Sequence, residues 1–179
     1  MTGEERQILL TKLTASRKLL LAAVHGMNDA QWAFKPDVGS YSIAQCVEHL
    51  VITEAGVLSR LNEKVRTEVP APERWAEAAG KDDLIWRVMP QRKHKVKAPP
   101  EMQPKGELAT PQAGVENFER VRAETIVYVE STRDDVRSYF LPHVAMGTLD
   151  GWQWLLTMAL HAERHAAQIE EIKAHPQFP

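Results

Sequence analysis

Four segments of this chain carry apolar residues at the three- and four-residue spacing of an α-helix, whereas the alternation typical of strands is weak throughout. Each segment follows a residue pattern that favours a helix start, either a capping box, a Thr-Pro pair or a lone threonine. The predicted helices are Gly3–His25 (after Thr2), a segment from Ser42 to about Arg66, Pro111 to about Ser131 (after Thr110), and Leu149 to about Ala174 (after Thr148). The chain is therefore predicted to be all-α, with a loop at Gly26–Tyr41 and a turn at Pro142–Gly147.

A long segment between the second and third predicted helices, Thr67–Ala109, is less regular. Asp82–Met89 has the pattern of a short helix, but prolines after it prevent any longer regular element. These prolines are Pro90, Pro99, Pro100 and Pro104. A segment of this length inside a compact domain either covers the bundle or closes over a site. We therefore predict a single four-helix-bundle domain, residues 1–179, in which this proline-bearing crossover joins helices two and three.

The crossover also carries a run of basic residues, which is either a solvated loop or a contact for an anion. Its members are Arg87, Arg92, Lys93, Lys95 and Lys97. Aromatic residues are not interleaved with this run, and Lys plus Arg (22) are balanced by Asp plus Glu (24), giving a formal charge of −2. Nucleic-acid binding is therefore not expected.

Cysteine content and apolar runs exclude further classes of protein. The single cysteine, Cys46, excludes an intramolecular disulfide and a cysteine-rich zinc module. The apolar run Leu19–Val24 is too short for a signal peptide or a membrane span. The sequence therefore predicts a soluble cytoplasmic protein with no membrane partner.

Two of the seven histidines lie on the inward face of the last predicted helix. At about 100° per residue, His165 lies roughly 40° from His161, among Leu155, Met158 and Ile169, and the charged residues lie opposite. Two buried imidazoles need partners for their ring nitrogens, and the i, i+4 spacing lets both meet one metal ion. A metal site is therefore favoured over the alternative, a pair of hydrogen-bonded core histidines.

A third ligand must come from another segment. His49 ranks first because it borders the apolar arc of the second predicted helix. His143, in the turn before the last helix, ranks second. The other candidates have simpler explanations. His25 lies at a helix end and His94 in a loop. His175 lies near the chain terminus, and Cys46 is explained as part of the core.

Two acidic residues bear on this site. Glu163 lies roughly 200° around the helix from His161, so it is not placed to act as a base beside the histidine pair. A zinc protease of the H-E-x-x-H type is therefore disfavoured. Glu54 lies roughly 140° from His49, inside the apolar arc, and its carboxylate is expected to need a buried partner.

Several segments taken together resemble the DinB/YfiT-like superfamily. They are Trp32–Pro36, Tyr41–Leu50, Ala98–Pro104 and His161–Ile169. The resemblance implies a four-helix bundle with a long crossover, and a divalent metal, commonly nickel or zinc, held by three histidines that map onto His49, His161 and His165. It also implies kinship with transferases and isomerases that use low-molecular-weight thiols.

Such a site allows three classes of function. The preferred prediction is a thiol S-transferase, whose partners would be a small-molecule thiol and a small electrophile. The alternatives are a hydrolase in which the ion activates water, and a non-catalytic metal- or ligand-binding bundle. Gln168, one turn beyond His165, is either a contact for a metal-bound ligand or a link to a neighbouring helix. Trp32 and Trp154 are either walls of an apolar substrate pocket or plain core.

A homodimer is expected from the last predicted helix. Leu156 and Leu160 lie roughly 220° and 260° from His161, outside the inward arc and on an otherwise charged face. Exposed apolar positions of this kind indicate a partner surface. The crossover is the alternative cover for them.

Overall fold

The computed structural model of the protein describes residues 1–92 and 96–179, so three residues of the crossover, Lys93, His94 and Lys95, lie outside the described residues. The α-helices are α1 (Gly3–Val24), α2 (Asp29–Ala33), α3 (Ile43–Thr67), α4 (Lys81–Val88), α5 (Pro111–Ser131) and α6 (Gly151–Lys173). Short 3-10 helices span Pro72–Glu77, Pro100–Met102 and Val136–Ser138, and two strands, β1 (Phe140–His143) and β2 (Gly147–Asp150), form an antiparallel hairpin.

The four long helices form the predicted all-α bundle. α1 packs against α5 and α6, and α3 packs against the same two helices, so the four enclose a common core. The long connection from α3 to α5 is the predicted crossover, and it contains α4 and two of the 3-10 helices. The prediction of a four-helix bundle with a proline-bearing crossover is confirmed.

Side-chain caps fix where the long helices begin. The hydroxyl oxygens of Thr2, Ser42 and Thr110 each accept a hydrogen bond from a backbone N–H in the first turn of the helix that follows, as their sequence patterns predict. The predicted cap Thr148 is wrong. It lies in β2, and α6 is capped by Asp150, whose carboxylate accepts from the N–H of Gln153 at 2.8 Å.

Two predicted loops contain short regular elements. Within the predicted loop Gly26–Tyr41, Asn28 caps α2 by accepting from the backbone N–H of Gln31. The predicted turn Pro142–Gly147 is the tip of the hairpin, and Gly147 takes the positive φ of 69° that glycine readily adopts. Both elements are too short for hydrophobic periodicity to reveal them.

A buried ion pair divides the core into two apolar clusters. The guanidinium of Arg122, fully buried on α5, donates to both carboxylate oxygens of Glu54 on α3 at 2.7 and 2.8 Å. The same guanidinium donates to Oγ of Ser16 and to the carbonyl oxygen of Leu13 on α1. The expectation that Glu54 needs a buried partner is confirmed.

The face of α6 that helical phase predicts to be free for a second subunit is covered within the chain. Leu156 and Leu160 are 0 % and 1 % exposed, so the prediction that they are exposed is wrong. Helical phase gives the direction of a side chain but not what covers it, and α4 of the crossover packs against α6. The homodimer therefore loses the observation that motivated it, and it stays a prediction.

In the part of the chain that the structure describes, no helix combines the length and the apolar character that a membrane span requires.

Candidate metal centre

Three histidine side chains converge between α3 and α6. One ring nitrogen each from His49, His161 and His165 lies within 4.8 Å of the other two. Nε2 of His161 and Nε2 of His165 are 3.0 Å apart, and the ring centroid of His49 lies 5.0 and 5.2 Å from those of His161 and His165. Nitrogen ligands of a tetrahedral zinc ion lie about 3.3 Å apart. Small side-chain rotations would therefore let the three nitrogens share one ion.

The helices explain why these three rings meet. His161 and His165 are one turn apart on α6, and their rings stack edge to face at 4.6 Å. His49 lies near the start of α3, where the packing of α3 against α6 brings its ring to both of theirs. Among the described residues, no other group of three or more histidine, cysteine or carboxylate side chains is clustered closely enough to hold an ion.

The crossover orients His49. Nδ1 of His49 lies 2.7 Å from the carbonyl oxygen of Met102, in the 3-10 helix Pro100–Met102. A carbonyl only accepts, so Nδ1 carries the proton and donates, and the lone pair stays on Nε2. Histidine ligands of metals are usually fixed by such a bond from their second nitrogen. By contrast, Nδ1 of His165 is buried and has no hydrogen-bond partner in the described part of the chain.

The crossover is in turn anchored by the residue next to His49. The carboxylate of Glu48, 2 % exposed, accepts hydrogen bonds from three successive backbone N–H groups, those of Lys105, Gly106 and Glu107, at 2.7 to 3.2 Å. A run of backbone N–H groups that converges on one anion binds it tightly. Two adjacent residues of α3 therefore connect the crossover to the triad. Glu48 anchors the crossover, and His49 is oriented by it.

Loss of the Glu48 carboxylate should lower the metal affinity of the triad, although Glu48 is not itself a ligand. In Glu48→Ala the three backbone N–H groups lose their acceptor, and we expect faster amide hydrogen exchange at residues 105–107. Metal affinity should fall by about 10- to 100-fold, as it does when other groups that orient metal ligands are removed. Isothermal titration with zinc measures the affinity. Glu63→Ala, an exposed site on the same helix, is the control, and equal affinities for the two variants would contradict the assignment.

Burial keeps the three imidazoles in the neutral form that binds metals. It lowers the pKa of His49 below the usual value, opposed in part by the Met102 carbonyl. The pKa values of His161 and His165 lie well below the usual value, first because desolvation disfavours the charged form of each ring and then because neighbouring positive charge disfavours a proton. Neutral imidazoles bind a cation without first releasing a proton.

The acidic residue within the His161–His165 segment points away from the triad. Oε1 of Glu163 lies 3.5 Å from Nζ of Lys12 on α1. The thiol of Cys46 is not available either. Cys46 lies on α3 within an apolar cluster, and burial raises the pKa of its thiol to about 12. Neither group offers a base or a thiolate to the triad at neutral pH.

Glu163→Ala should leave metal content unchanged. Its carboxylate contacts Lys12 rather than the histidines, and a partly exposed ion pair of this kind contributes at most about 1 kcal/mol. Metal analysis after identical dialysis of wild type and variant checks this. A folded variant that has lost its metal would show that Glu163 takes part in the site.

The other predicted site residues are placed as follows. Gln168 accepts, through Oε1, a hydrogen bond of 2.9 Å from Nη1 of Arg92 in the crossover. Trp32 and Trp154 are both buried, and their indole N–H groups donate to the carbonyl oxygens of Leu108 and Leu141. Their role as pocket walls stays a prediction.

His143, the second-ranked ligand, is not part of the triad. Its Nδ1 accepts hydrogen bonds from the backbone N–H groups of Ala145 and Met146 in the hairpin tip, and burial lowers its pKa to about 4. Its ring packs 5.0 Å from that of Trp154. These contacts give His143 a structural role in the hairpin.

A separate cavity of about 880 Å³ lies near the first turns of α1, α4 and α6. Its lining includes Gln153, more than two helical turns from His161 along α6. Arg137 is held there by the carboxylates of Glu5, Asp82 and Asp150. Arg137 is thus paired with three carboxylates, and the lining of this cavity does not include the triad.

Comparison with known proteins places this architecture in a family. The DinB superfamily model matches residues 12–169, which include all three histidines. The chain belongs to the DinB superfamily. The match confirms the resemblance seen in the sequence, and it spans both the crossover and the helices that carry the triad.

Two known proteins are similar to this chain. The uncharacterized protein YuaE of Bacillus subtilis (strain 168) is 25 % identical over 148 residues, which cover 83 % of this chain and 86 % of YuaE. YfiT from Bacillus subtilis, described as a probable metal-dependent hydrolase with an unusual four-helix bundle topology, has a similar structure. Its TM-score is 0.67 at 16 % identity, and the match covers 97 % of this chain and 88 % of YfiT.

Sequence reasoning missed the residues that support the triad from the crossover. Glu48 has the pattern of an ordinary helix residue, and Met102 acts through its carbonyl oxygen, which no side-chain pattern reveals. Glu48 did leave one signal, since it is an acidic residue among the largely apolar residues that surround His49, and a carboxylate that becomes buried there requires a partner. The identity of that partner depends on the path of the crossover.

Proposed function

We propose that this DinB superfamily member is a metal-dependent enzyme in which His49, His161 and His165 hold one divalent ion, nickel or zinc. The convergence of three neutral imidazoles from two helices carries the proposal. Imidazole suits both metals, and the donor set fits an ion that keeps a position open for a further ligand. When bound, such an ion lowers the pKa of a ligand and so supplies a nucleophile at neutral pH.

The preferred reaction is transfer of a low-molecular-weight thiol to a small electrophile. The sulfur of the thiol forms a bond to the electrophilic carbon, the leaving group departs with its bonding electrons, and the thiol proton goes to solvent. A thiol has an ordinary pKa of about 8.5, so it ionises with little help, whereas water needs far more. The described carboxylates nearest in sequence are engaged elsewhere, Glu48 with the crossover, Glu54 with Arg122 and Glu163 with Lys12. A site without a free base favours the more acidic nucleophile.

Hydrolysis is the second candidate. The neighbour YfiT is described as a probable metal-dependent hydrolase, and it shares the bundle topology of this chain. The same ion would then activate water. Dependence on added thiol distinguishes the two reactions, because only the transferase consumes one.

A thermal-shift matrix followed by turnover tests the proposal. We expect nickel or zinc to raise the unfolding temperature, and a suitable thiol to raise it further only when the metal is present, since a ligand that binds the folded state stabilises it. Turnover is then followed with chlorodinitrobenzene plus thiol, and with p-nitrophenyl acetate alone. Ester cleavage without any thiol effect would favour the hydrolase. Metal binding without either reaction would leave a non-catalytic bundle.

A further inference from the structure

An arginine of the crossover is held beside the triad by the last turns of α6. Nη1 of Arg92 donates to Oε1 of Gln168 at 2.9 Å, and Nε and Nη2 donate to the carboxylate of Glu171 at 3.0 to 3.3 Å. Gln168 follows His165 by about one helical turn. The Arg92 side chain is 22 % exposed, so its guanidinium is partly withdrawn from water next to the site.

Positive charge lies beside the triad. The three imidazoles are neutral, and any ion they bind is positive. Arg92 places a further positive charge near His165, where it disfavours a proton on that ring. The carboxylate of Glu171 offsets part of this charge, but its side chain is 57 % exposed and its field is weakened by water.

We propose, on the basis of the function proposed above, that Arg92 and the Gln168 side chain form a subsite for a carboxylate on one of the small substrates. A guanidinium binds a carboxylate through two parallel N–H donors, and an amide N–H beside it adds a third. Glu171 then acts as a resident counter-ion, which an incoming carboxylate displaces from Arg92. The proposed substrate is a small molecule with a carboxylate at one end and, at the other end, the atom that binds the metal ion.

Two thiols that differ in charge test this subsite directly. Cobalt-loaded protein is titrated with 3-mercaptopropionate and with 2-mercaptoethanol, and binding is followed by the sulfur-to-cobalt charge-transfer band. We expect the carboxylate-bearing thiol to bind about tenfold more tightly or better, as a charge-assisted contact of this kind allows. Arg92→Gln should abolish the preference, because it lowers the affinity for 3-mercaptopropionate far more than that for 2-mercaptoethanol. Glu171→Gln should strengthen 3-mercaptopropionate binding, because the competing carboxylate is gone.

Arg120→Gln is the matched control, since Arg120 lies in an exposed ion pair with Glu124 on α5. Cobalt content is measured for every variant, so that loss of metal is separated from loss of the carboxylate contact. Equal affinities of the two thiols in wild type, or a preference that survives in Arg92→Gln, would overturn the proposal.

A probe without sulfur separates this inference from the proposed function. Succinate should raise the unfolding temperature of the zinc-loaded wild type more than that of Arg92→Gln. If succinate acts in this way but neither thiol binds, the carboxylate subsite stands and the thiol-transferase function fails. If succinate acts equally on both proteins, the subsite is wrong whatever the thiols do.

Discussion

Replacing any one of His49, His161 and His165 by alanine should remove nearly all bound metal from the purified protein. Each ring supplies one of three converging nitrogens, and the described part of the chain offers no fourth side chain in that cluster. Loss of a group that merely supports a ligand costs about 10- to 100-fold in affinity, so loss of a ligand should cost more than about 100-fold. Elemental analysis after identical dialysis of wild type and the three variants measures this.

Thermal unfolding gives a second readout of the same change. Zinc should raise the unfolding temperature of wild type but not of the three variants, because stabilisation follows the affinity for the folded state. His143→Ala is the control, since its ring nitrogen is bonded within the hairpin, and it should retain metal. Full metal stoichiometry in all three triad variants would show that the ion lies elsewhere.

Breaking the buried ion pair between Arg122 and Glu54 should lower the free energy of unfolding more than any other substitution proposed for this protein. In Arg122→Met the Glu54 carboxylate keeps its burial but loses both guanidinium bonds, and Ser16 loses a donor. An uncompensated buried charge typically costs about 3 to 5 kcal/mol in free energy of unfolding. For a chain of this size, each kcal/mol corresponds to roughly 2 to 4 °C in unfolding temperature. Urea titration with circular dichroism measures the difference.

A double variant separates charge burial from packing. Glu54→Leu combined with Arg122→Met removes both charges together, so we expect it to recover most of the stability that the single variant loses. Arg120→Met, in an exposed pair on the same helix, should change stability by no more than about 0.5 kcal/mol. A double variant as unstable as Arg122→Met would mean that the cost comes from lost volume or hydrogen bonds rather than from the stranded carboxylate.

Local chemistry in the sequence predicted much of the fold. The caps at Thr2, Ser42 and Thr110 begin helices where their patterns indicated, because a capping interaction involves residues only three positions apart. The start of α6 was missed because Thr148 and Asp150 are both competent caps. The pairing of β2 with β1, which no local pattern shows, decided between them.

The site was predicted in part for the same reason. Helical phase alone placed His161 and His165 together, since they are neighbours on one face. It also showed that Glu54 needed a partner, but the identity of Arg122 depends on how α5 lies against α3. For Leu156, helical phase correctly predicted that the side chain lies outside the inward arc. It did not reveal that the side chain is buried there by another part of the chain. Contacts that depend on the path of the crossover, such as that of Met102 with His49, are outside the reach of periodicity.

The anchoring of the crossover by Glu48 has a kinetic consequence. An ion held by His49 can leave readily only when that ring swings away, and the ring is tethered to the same stretch of chain that Glu48 clamps. The lifetime of the bound ion would then be set by how often this stretch detaches from α3. Metal exchange should therefore be slow compared with ligand exchange, and its rate should follow local opening of residues 102–107.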